Sequence, residues 1–190
     1  MVVNEKALKS CLKDAYRNRS FTVAVYDDSI MINGGFWLVI INSDEVPSSV
    51  LGLFGEWMRK IPEDGEAYRV IKGDAGPIIQ KQLLQEALDP VKEMERKWSD
   101  SVWDKTDGVM RRTGLRFEGA QIWQNSEDLS VLMIDPRYEA MLESIKDISR
   151  VGMGLYSADN VSTAWILGVD NRGSTKEKLD HLAQFRWVHK

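Results

Sequence analysis

Two adjacent carboxylates, Asp27 and Asp28, are the residues of this chain whose types could support metal-assisted chemistry. Paired carboxylates can hold Mg²⁺ for phosphodiester chemistry. They follow the alternating segment 21–25 and precede another apolar segment, and aspartate is favoured in hairpin turns because its side chain bonds nearby backbone N–H groups. No third acidic residue stands at a diagnostic spacing, so the sequence favours a turn. A small metal-dependent enzyme that uses these acids remains an alternative.

The sequence gives little support for other kinds of catalytic site. The chain lacks the GxxxxGK[ST], GxGxxG, HExxH, CxxC and GxSxG motifs. Its two histidines, His181 and His189, are too few for a site with several imidazole ligands. Cys11 lies among apolar residues at helical spacing, which is typical of a small buried hydrophobe. We therefore expect no catalytic residue, no bound metal and no cofactor, and a protein that acts by binding.

The formal net charge of -4 conceals two basic ends. Residues 1–20 contain five cations against two acids, and residues 172–190 have the same balance, so the remainder is strongly acidic. At about 100° per residue, one arc of about 80° on the first predicted helix carries a ladder of four cations, opposite its apolar residues. These cations are Lys6, Lys9, Lys13 and Arg17. Such a ladder could follow a phosphate backbone with salt-dependent affinity, and the alternative is an ordinary solvated helix face.

A second group of candidate contacts lies in the middle of the chain. Its arginines are Arg111, Arg112 and Arg116, close to Lys105, Trp103, Phe117 and Trp123. Arginine among aromatic residues is typical of surfaces that bind single-stranded nucleic acid, where these side chains stack on bases. The same aromatics also alternate as core residues of strands do, so both interpretations stand. Trp98 and Trp103 border a charged segment and are candidate anchors for a protein partner.

The elements that must position these residues alternate between helical and strand patterns. Apolar spacing of three and four predicts helices over 4–18, 48–58, 137–147 and 174–185, and helical spacing over 77–103 is interrupted at Pro90. Period-two alternation and turn residues predict strands within 21–42, 67–73, 110–134 and 150–170. Asn4 and Asp135 are predicted helix caps. The pattern indicates an α+β fold with a central antiparallel sheet and helices packed on it.

The first and last segments have a similar order of elements, which suggests an internal α-β-β-α-β duplication. Trp37 aligns with Trp165 and Val25 with Leu155 in this comparison. A duplication would let two hairpins join into one antiparallel sheet, whereas the alternative is that any two such units align this well. We expect one compact domain over 1–190, with sub-halves 1–76 and 129–190 joined by 77–128.

Length and composition exclude several classes of protein. A chain of 190 residues has the size of one domain, and a single cysteine excludes a disulfide-stapled scaffold. No apolar run approaches the roughly 20 residues of a membrane span, and the N-terminus has no apolar signal core. The sequence therefore predicts a cytoplasmic protein without a membrane partner.

Residues 3–57, which begin VNEKALKSCLKDAYRN and end LGLFGEW, resemble a group of small proteins carried by phages and mobile elements of gut bacteria. Proteins of that origin include counter-defence factors of the anti-CRISPR type, which are usually small, acidic and non-enzymatic. The resemblance implies an inhibitor that binds a host protein or protein–nucleic acid complex in the host cytosol.

The order of elements is also similar to that of the DNA sliding clamps, in which a strand, helix and hairpin unit is repeated and basic helices face DNA. This chain departs from the pattern, because a helix follows each hairpin and the helix over 137–147 is not basic. A clamp-like scaffold is the alternative that this similarity implies.

Overall fold

A computed structural model of the chain describes residues 1–72, 108–142, 148–151, 154–169 and 174–188. The described helices are α1 (Glu5–Asn18), α2 (Ser48–Met58), α3 (Pro136–Glu139) and α4 (Ser174–Leu182), with a 3₁₀ turn at Ser43–Glu45. The described strands are β1 (Phe21–Tyr26), β2 (Ser29–Asn33), β3 (Trp37–Asn42), β4 (Ala67–Val70), β5 (Met110–Phe117), β6 (Ala120–Asn125), β7 (Val131–Ile134), β8 (Ser149–Val151), β9 (Gly154–Ala158) and β10 (Ser162–Leu167).

The strands form two antiparallel sheets. Seven strands lie in the order β4-β1-β2-β3-β10-β9-β8, and three in the order β5-β6-β7. Strand β3 pairs with β10, so the hairpins from the two ends of the chain join into one continuous sheet. The predicted α+β class with a central antiparallel sheet is confirmed.

Helix α1 packs its apolar stripe on this sheet. The stripe consists of Leu8, Cys11, Leu12 and Ala15, which are buried as their spacing predicts. The Asn4 side chain accepts a hydrogen bond of 2.9 Å from the Ala7 backbone N–H, which confirms the predicted cap. The stacked rings of Tyr16 and Trp57, with centroids 4.3 Å apart, join α1 to α2. The helix is therefore fixed along its length, and its other face is left to solvent.

The three-stranded sheet packs on both of its faces. Trp123 and Met110 belong to the same hydrophobic core as α1 and the seven-stranded sheet. Ile122 and Met133 pack on the opposite side with Leu179 of α4. One core thus contains residues from both sheets.

The helix predicted over 137–147 is shorter than its apolar pattern suggested. Asp135 caps it as predicted, but α3 ends at Glu139 and Leu142 forms a β-bridge with Val3. The Asn4 N–H also donates a hydrogen bond of 2.7 Å to the Met141 carbonyl. Pairing with the N-terminal segment therefore takes the backbone groups that a longer helix would have used.

The two ends of the chain have comparable element orders in the described residues, with a helix, three antiparallel strands and a second helix in each. The aligned residues Trp37 and Trp165 do not occupy equivalent positions in the sheet. Trp37 lies opposite Ile166, and Trp165 lies opposite Leu38, so the two indole rings are on opposite faces of the sheet. The duplication itself stays a prediction. The helical pattern over 77–103, with Trp98 and Trp103, falls outside the described residues.

Of the helices that the structure describes, none has both the length and the apolar character needed to cross a membrane.

Asp27 and Asp28 form the two-residue turn between β1 and β2. Their φ angles are 51° and 58°, and positive φ at both positions defines a type I′ turn. The Asp27 N–H donates to Asp64 Oδ1 at 3.1 Å, and the Asp28 carbonyl accepts from the Ser43 N–H at 2.8 Å. Within the described ranges no three His, Cys, Asp or Glu residues are grouped as metal ligands. The predicted turn is confirmed.

Asp28→Gly is expected to raise the free energy of unfolding by about 0.5 kcal/mol. Glycine removes the steric cost of positive φ, and this gain exceeds the loss from the greater entropy of the unfolded chain. Urea unfolding followed by circular dichroism measures the difference.

A rise in melting temperature with Mg²⁺ in the wild type, abolished by Asp28→Asn, would instead support the carboxylate enzyme.

Candidate functional site

The four predicted cations lie on the solvent side of α1. Lys6, Lys13 and Arg17 are exposed and Lys9 is half-buried, and none forms an ion pair with a described residue. At 1.5 Å per residue the ladder extends about 16 Å along the helix. The structure thus brings together a row of cations without acidic partners in the described part of the chain.

An open cleft of about 750 Å³ lies between the C-terminal end of α1 and the start of α3. We call it the Arg19 cleft. Its lining residues are Asp14, Asn18, Arg19, Phe36, Asp135, Arg137, Tyr138, Leu167, Gly168 and Val169. The lining therefore combines two arginines, two aspartates and two aromatic rings.

Arg19 is held in place by hydrogen bonds from one nitrogen. Its Nη2 donates to the Tyr138 hydroxyl at 2.7 Å and to Asp14 Oδ2 at 3.0 Å. The guanidinium carbon lies 5.1 Å from the centroid of the Phe36 ring, which is within the range of a cation–π interaction. The Arg19 side chain is therefore oriented before any ligand arrives, while Nε and Nη1 form no hydrogen bond with a described residue.

Arg137 is oriented in a similar way by its own neighbour. Its Nε lies 3.1 Å from both oxygens of Asp135, and its Nη2 donates to Asp135 Oδ2 at 2.6 Å. The Asp135 carboxylate also accepts the Arg137 backbone N–H at 2.9 Å, which caps α3. Arg137 Nη1 forms no hydrogen bond with a described residue.

These pairings favour the ionised forms of the charged groups that line the cleft. Hydrogen bonds from Asn18 and then Arg19 lower the pKa of Asp14, and the bond from Arg137 lowers the pKa of Asp135 despite burial. The hydrogen bonds that Arg19 makes to Tyr138 and Asp14 raise the pKa of its guanidinium. The cleft is thus lined by two oriented ion pairs.

Phe36 and Tyr138 supply the aromatic part of the cleft. Their ring centroids are 6.1 Å apart with an interplanar angle of 14°. The Phe36 side chain is 47% exposed, although it belongs to a residue type that is usually buried. The Leu167 N–H donates to the Phe36 carbonyl at 2.9 Å, so the loop that carries the ring is anchored to β10. No motif or spacing in the sequence singles out Arg19, Phe36, Arg137 or Tyr138 as site residues.

A second cleft, of about 540 Å³, adjoins the first along α1. The two clefts share Asp14, Arg137 and Tyr138, and the second also includes Lys6 and Cys11. Burial raises the pKa of the Cys11 thiol to about 11, so the thiol stays protonated and weakly nucleophilic. Its predicted role as a buried hydrophobe is consistent with this position.

The cation ladder borders both clefts. On the helical wheel Ser10 and Asp14 lie between the cations and the buried stripe, and both line the second cleft. Lys6 itself lines that cleft, and Arg17 directly precedes Asn18, the last residue of α1, which lines the Arg19 cleft. The basic face of α1, defined as Lys6, Lys9, Lys13 and Arg17, is therefore continuous with the clefts.

The second predicted group of cations is divided by the strand register. Arg111 pairs with Gln124 and Arg112 with Trp123, so these neighbouring arginines lie on opposite faces of the sheet. Arg116 pairs with Gln121 beyond a bulge, and both Arg111 and Arg116 are exposed. The register does not bring the three arginines together on one surface.

Arg112 contacts a buried acid. Its Nε donates to Glu139 Oε1 at 2.8 Å, and the indole N–H of the fully buried Trp123 donates to the same oxygen at 2.9 Å. Trp123 is therefore a core residue rather than a stacking platform. Through Glu139 this contact connects the three-stranded sheet to α3, the helix that carries Arg137 and Tyr138.

These observations define an α+β protein with a charged, aromatic cleft beside a basic helix. Comparison of the chain with protein-family models, with curated proteins and with solved structures finds no match.

Proposed function

We propose that the protein acts by binding, and that it docks an acidic partner, a host protein or protein–nucleic acid complex, on the basic face of α1. The observation that carries the proposal is the row of four cations on one helix face, none ion-paired within the described chain. Long-range attraction from such a row steers an acidic surface toward the helix and makes binding salt-dependent.

The packing of α1 supports this role. The buried stripe and the Tyr16–Trp57 stack fix the helix, so the cations project from a rigid scaffold. A rigid row loses less conformational entropy on binding than a mobile one. The neighbouring Arg19 cleft adds an exposed aromatic ring and arginines, the residue types that dominate binding energy at interfaces.

The test replaces two central cations, Lys9→Glu and Lys13→Glu together. Binding to fluorescent poly-glutamate, duplex DNA and single-stranded DNA is measured by anisotropy between about 50 and 200 mM salt. We expect at least one polymer to bind the wild type at low salt, to weaken steeply as salt rises, and to lose at least tenfold in affinity with the double variant.

A matched control carries the same charge change elsewhere. Arg69→Glu with Lys72→Glu reverses two exposed cations at and just after strand β4, away from α1. We expect this variant to bind nearly as the wild type does. Equal losses in the two variants, or no binding of any polymer at low salt, would overturn the proposal.

The wider context of this proposal is a phage or mobile-element accessory protein that inhibits host defence. It is supported by the resemblance of residues 3–57 and by a basic face suited to a protein–nucleic acid complex. Expression of the chain in a host with an active CRISPR system should restore plaque formation by a targeted phage, and the Lys9→Glu and Lys13→Glu variant should not. Unchanged plating efficiency across defence systems would contradict this context.

A further inference from the structure

We propose that the Arg19 cleft binds a single nucleotide, with its base stacked on Phe36 and its phosphate on the arginines. The inference rests on the proposed function, because the basic face of α1 would deliver the strand to which that nucleotide belongs. The ligand is either a free nucleotide or one nucleotide of a single strand. Both present the same chemical group, a nucleoside phosphate.

The dimensions of the cleft fit one such ligand. Its volume of about 750 Å³ lies within the range of roughly 300–1,000 Å³ typical of small-molecule sites. Its lining combines the apolar side chains of Phe36, Leu167 and Val169 with polar groups of Asn18 and Arg19. The lining therefore offers apolar surface for a flat ring and polar groups for phosphate and base edges.

Phe36 provides the stacking surface. Its ring is 47% exposed even though Tyr138 and Arg19 already contact it. The backbone bond to Leu167 fixes its position at the edge of the cleft. Bases stack on exposed aromatic rings with little dependence on base identity, so we expect binding without strong sequence preference.

The arginines provide donors for the phosphate. Asp14 and Tyr138 accept the two hydrogen bonds that Arg19 Nη2 donates. Asp135 accepts hydrogen bonds from Nε and Nη2 of Arg137. In both side chains Nη1 has no hydrogen bond within the described chain. A phosphate can therefore bind without breaking either ion pair, and the planar guanidinium group matches its oxygens.

The distribution of cations favours a nucleic acid strand over an acidic peptide. Successive members of the basic face are three or four residues apart, which corresponds to steps of about 4.5–6 Å along α1. That row ends beside the cleft, so one strand could lie along α1 and place a nucleotide on Phe36. A poly-glutamate chain would use the cations but has no ring to stack on Phe36.

The experiment measures binding of AMP, adenosine, ribose 5-phosphate and (dA)₈ by calorimetry. We expect AMP to bind at least tenfold more tightly than adenosine or ribose 5-phosphate, and (dA)₈ to bind more tightly than AMP. Phe36→Leu should weaken AMP and (dA)₈ about tenfold, since it removes stacking but keeps an apolar side chain. Phe185→Leu is the same change at a 50% exposed ring outside the cleft, and it should leave the affinities for AMP and (dA)₈ unchanged.

The outcomes separate this inference from the proposed function. If (dA)₈ binding depends on Lys9 and Lys13 but not on Phe36, the cleft inference is wrong and the basic face remains. If neither AMP nor (dA)₈ binds, the nucleotide assignment is overturned, while poly-glutamate binding still tests the basic face. Tight AMP binding with no gain for (dA)₈ supports the site and identifies a free nucleotide as its ligand.

Discussion

Gly34→Ala is expected to lower the free energy of unfolding by about 2–3 kcal/mol, because the position has no room for a side chain. An ideal Cβ at Gly34 would lie 2.5 Å from both Cζ2 and Nε1 of Trp37. Trp37 is 1% exposed and opens strand β3 within the main core, so its ring cannot move aside without disturbing that core. The Gly34 N–H also donates to the Trp37 carbonyl at 2.9 Å, which holds the two residues together.

The same substitution should also disturb the Arg19 cleft. Phe36 lies between Gly34 and the anchored strand, so a shift of Trp37 moves the ring that faces the cleft. Urea unfolding by circular dichroism measures the loss of stability, and AMP calorimetry on the folded fraction measures the effect on the cleft.

Gly52→Ala is the matched control for this prediction. Gly52 lies on an exposed turn of α2, and a Cβ there meets no heavy atom within 4 Å. Alanine in a helix interior is favoured over glycine, so we expect a gain of about 0.5–1 kcal/mol. A loss below about 0.5 kcal/mol for Gly34→Ala would show that the Trp37 pocket is loosely packed.

Local patterns predicted much of the fold. The spacing of Leu8, Leu12 and Ala15 located α1 and its buried face, and Asn4 and Asp135 located two helix starts. These signals are readable because burial on one face of a helix and capping depend on neighbours in sequence. The joining of two hairpins into one sheet was predicted from the order of elements, and β3 with β10 shows it.

The cleft could not be predicted in this way. Arg19 and Tyr138 are 119 positions apart, and their hydrogen bond exists because α1 and α3 meet over the sheet. Phe36 is of a residue type that is usually buried, and its ring is on the surface because it lies in the bend between β2 and β3, where Gly35 has a φ of 86°. Trp123 shows the reverse case. Its neighbouring arginines suggested base stacking, but the register of β6 places its ring in the core.

Glu139→Ala is expected to lower the free energy of unfolding by about 2–3 kcal/mol, because one buried oxygen serves two donors. Glu139 is 7% exposed, and its loss leaves the buried indole N–H of Trp123 without a partner. The charge-assisted bond from Arg112 is lost as well, but that side chain is 47% exposed and can be hydrated. Arg112→Ala leaves the buried Glu139 carboxylate with the Trp123 N–H but without its cation, so it should also lower the free energy of unfolding, by about 1–3 kcal/mol.

Three variants decide whether this contact positions the cleft. Glu139→Gln retains an acceptor for Trp123, so it should lose less than half as much stability as Glu139→Ala, and Glu56→Ala on exposed α2 should change stability by less than about 0.5 kcal/mol. Because Glu139 follows Tyr138 directly on α3, Glu139→Ala should also weaken AMP binding in the folded protein, whereas Glu56→Ala should not. If Glu139→Ala and Glu139→Gln lose equal stability, the charge matters more than the Trp123 hydrogen bond. If AMP binding is unchanged, the packing of Tyr138 and Met141 in the core holds α3 without help from the three-stranded sheet.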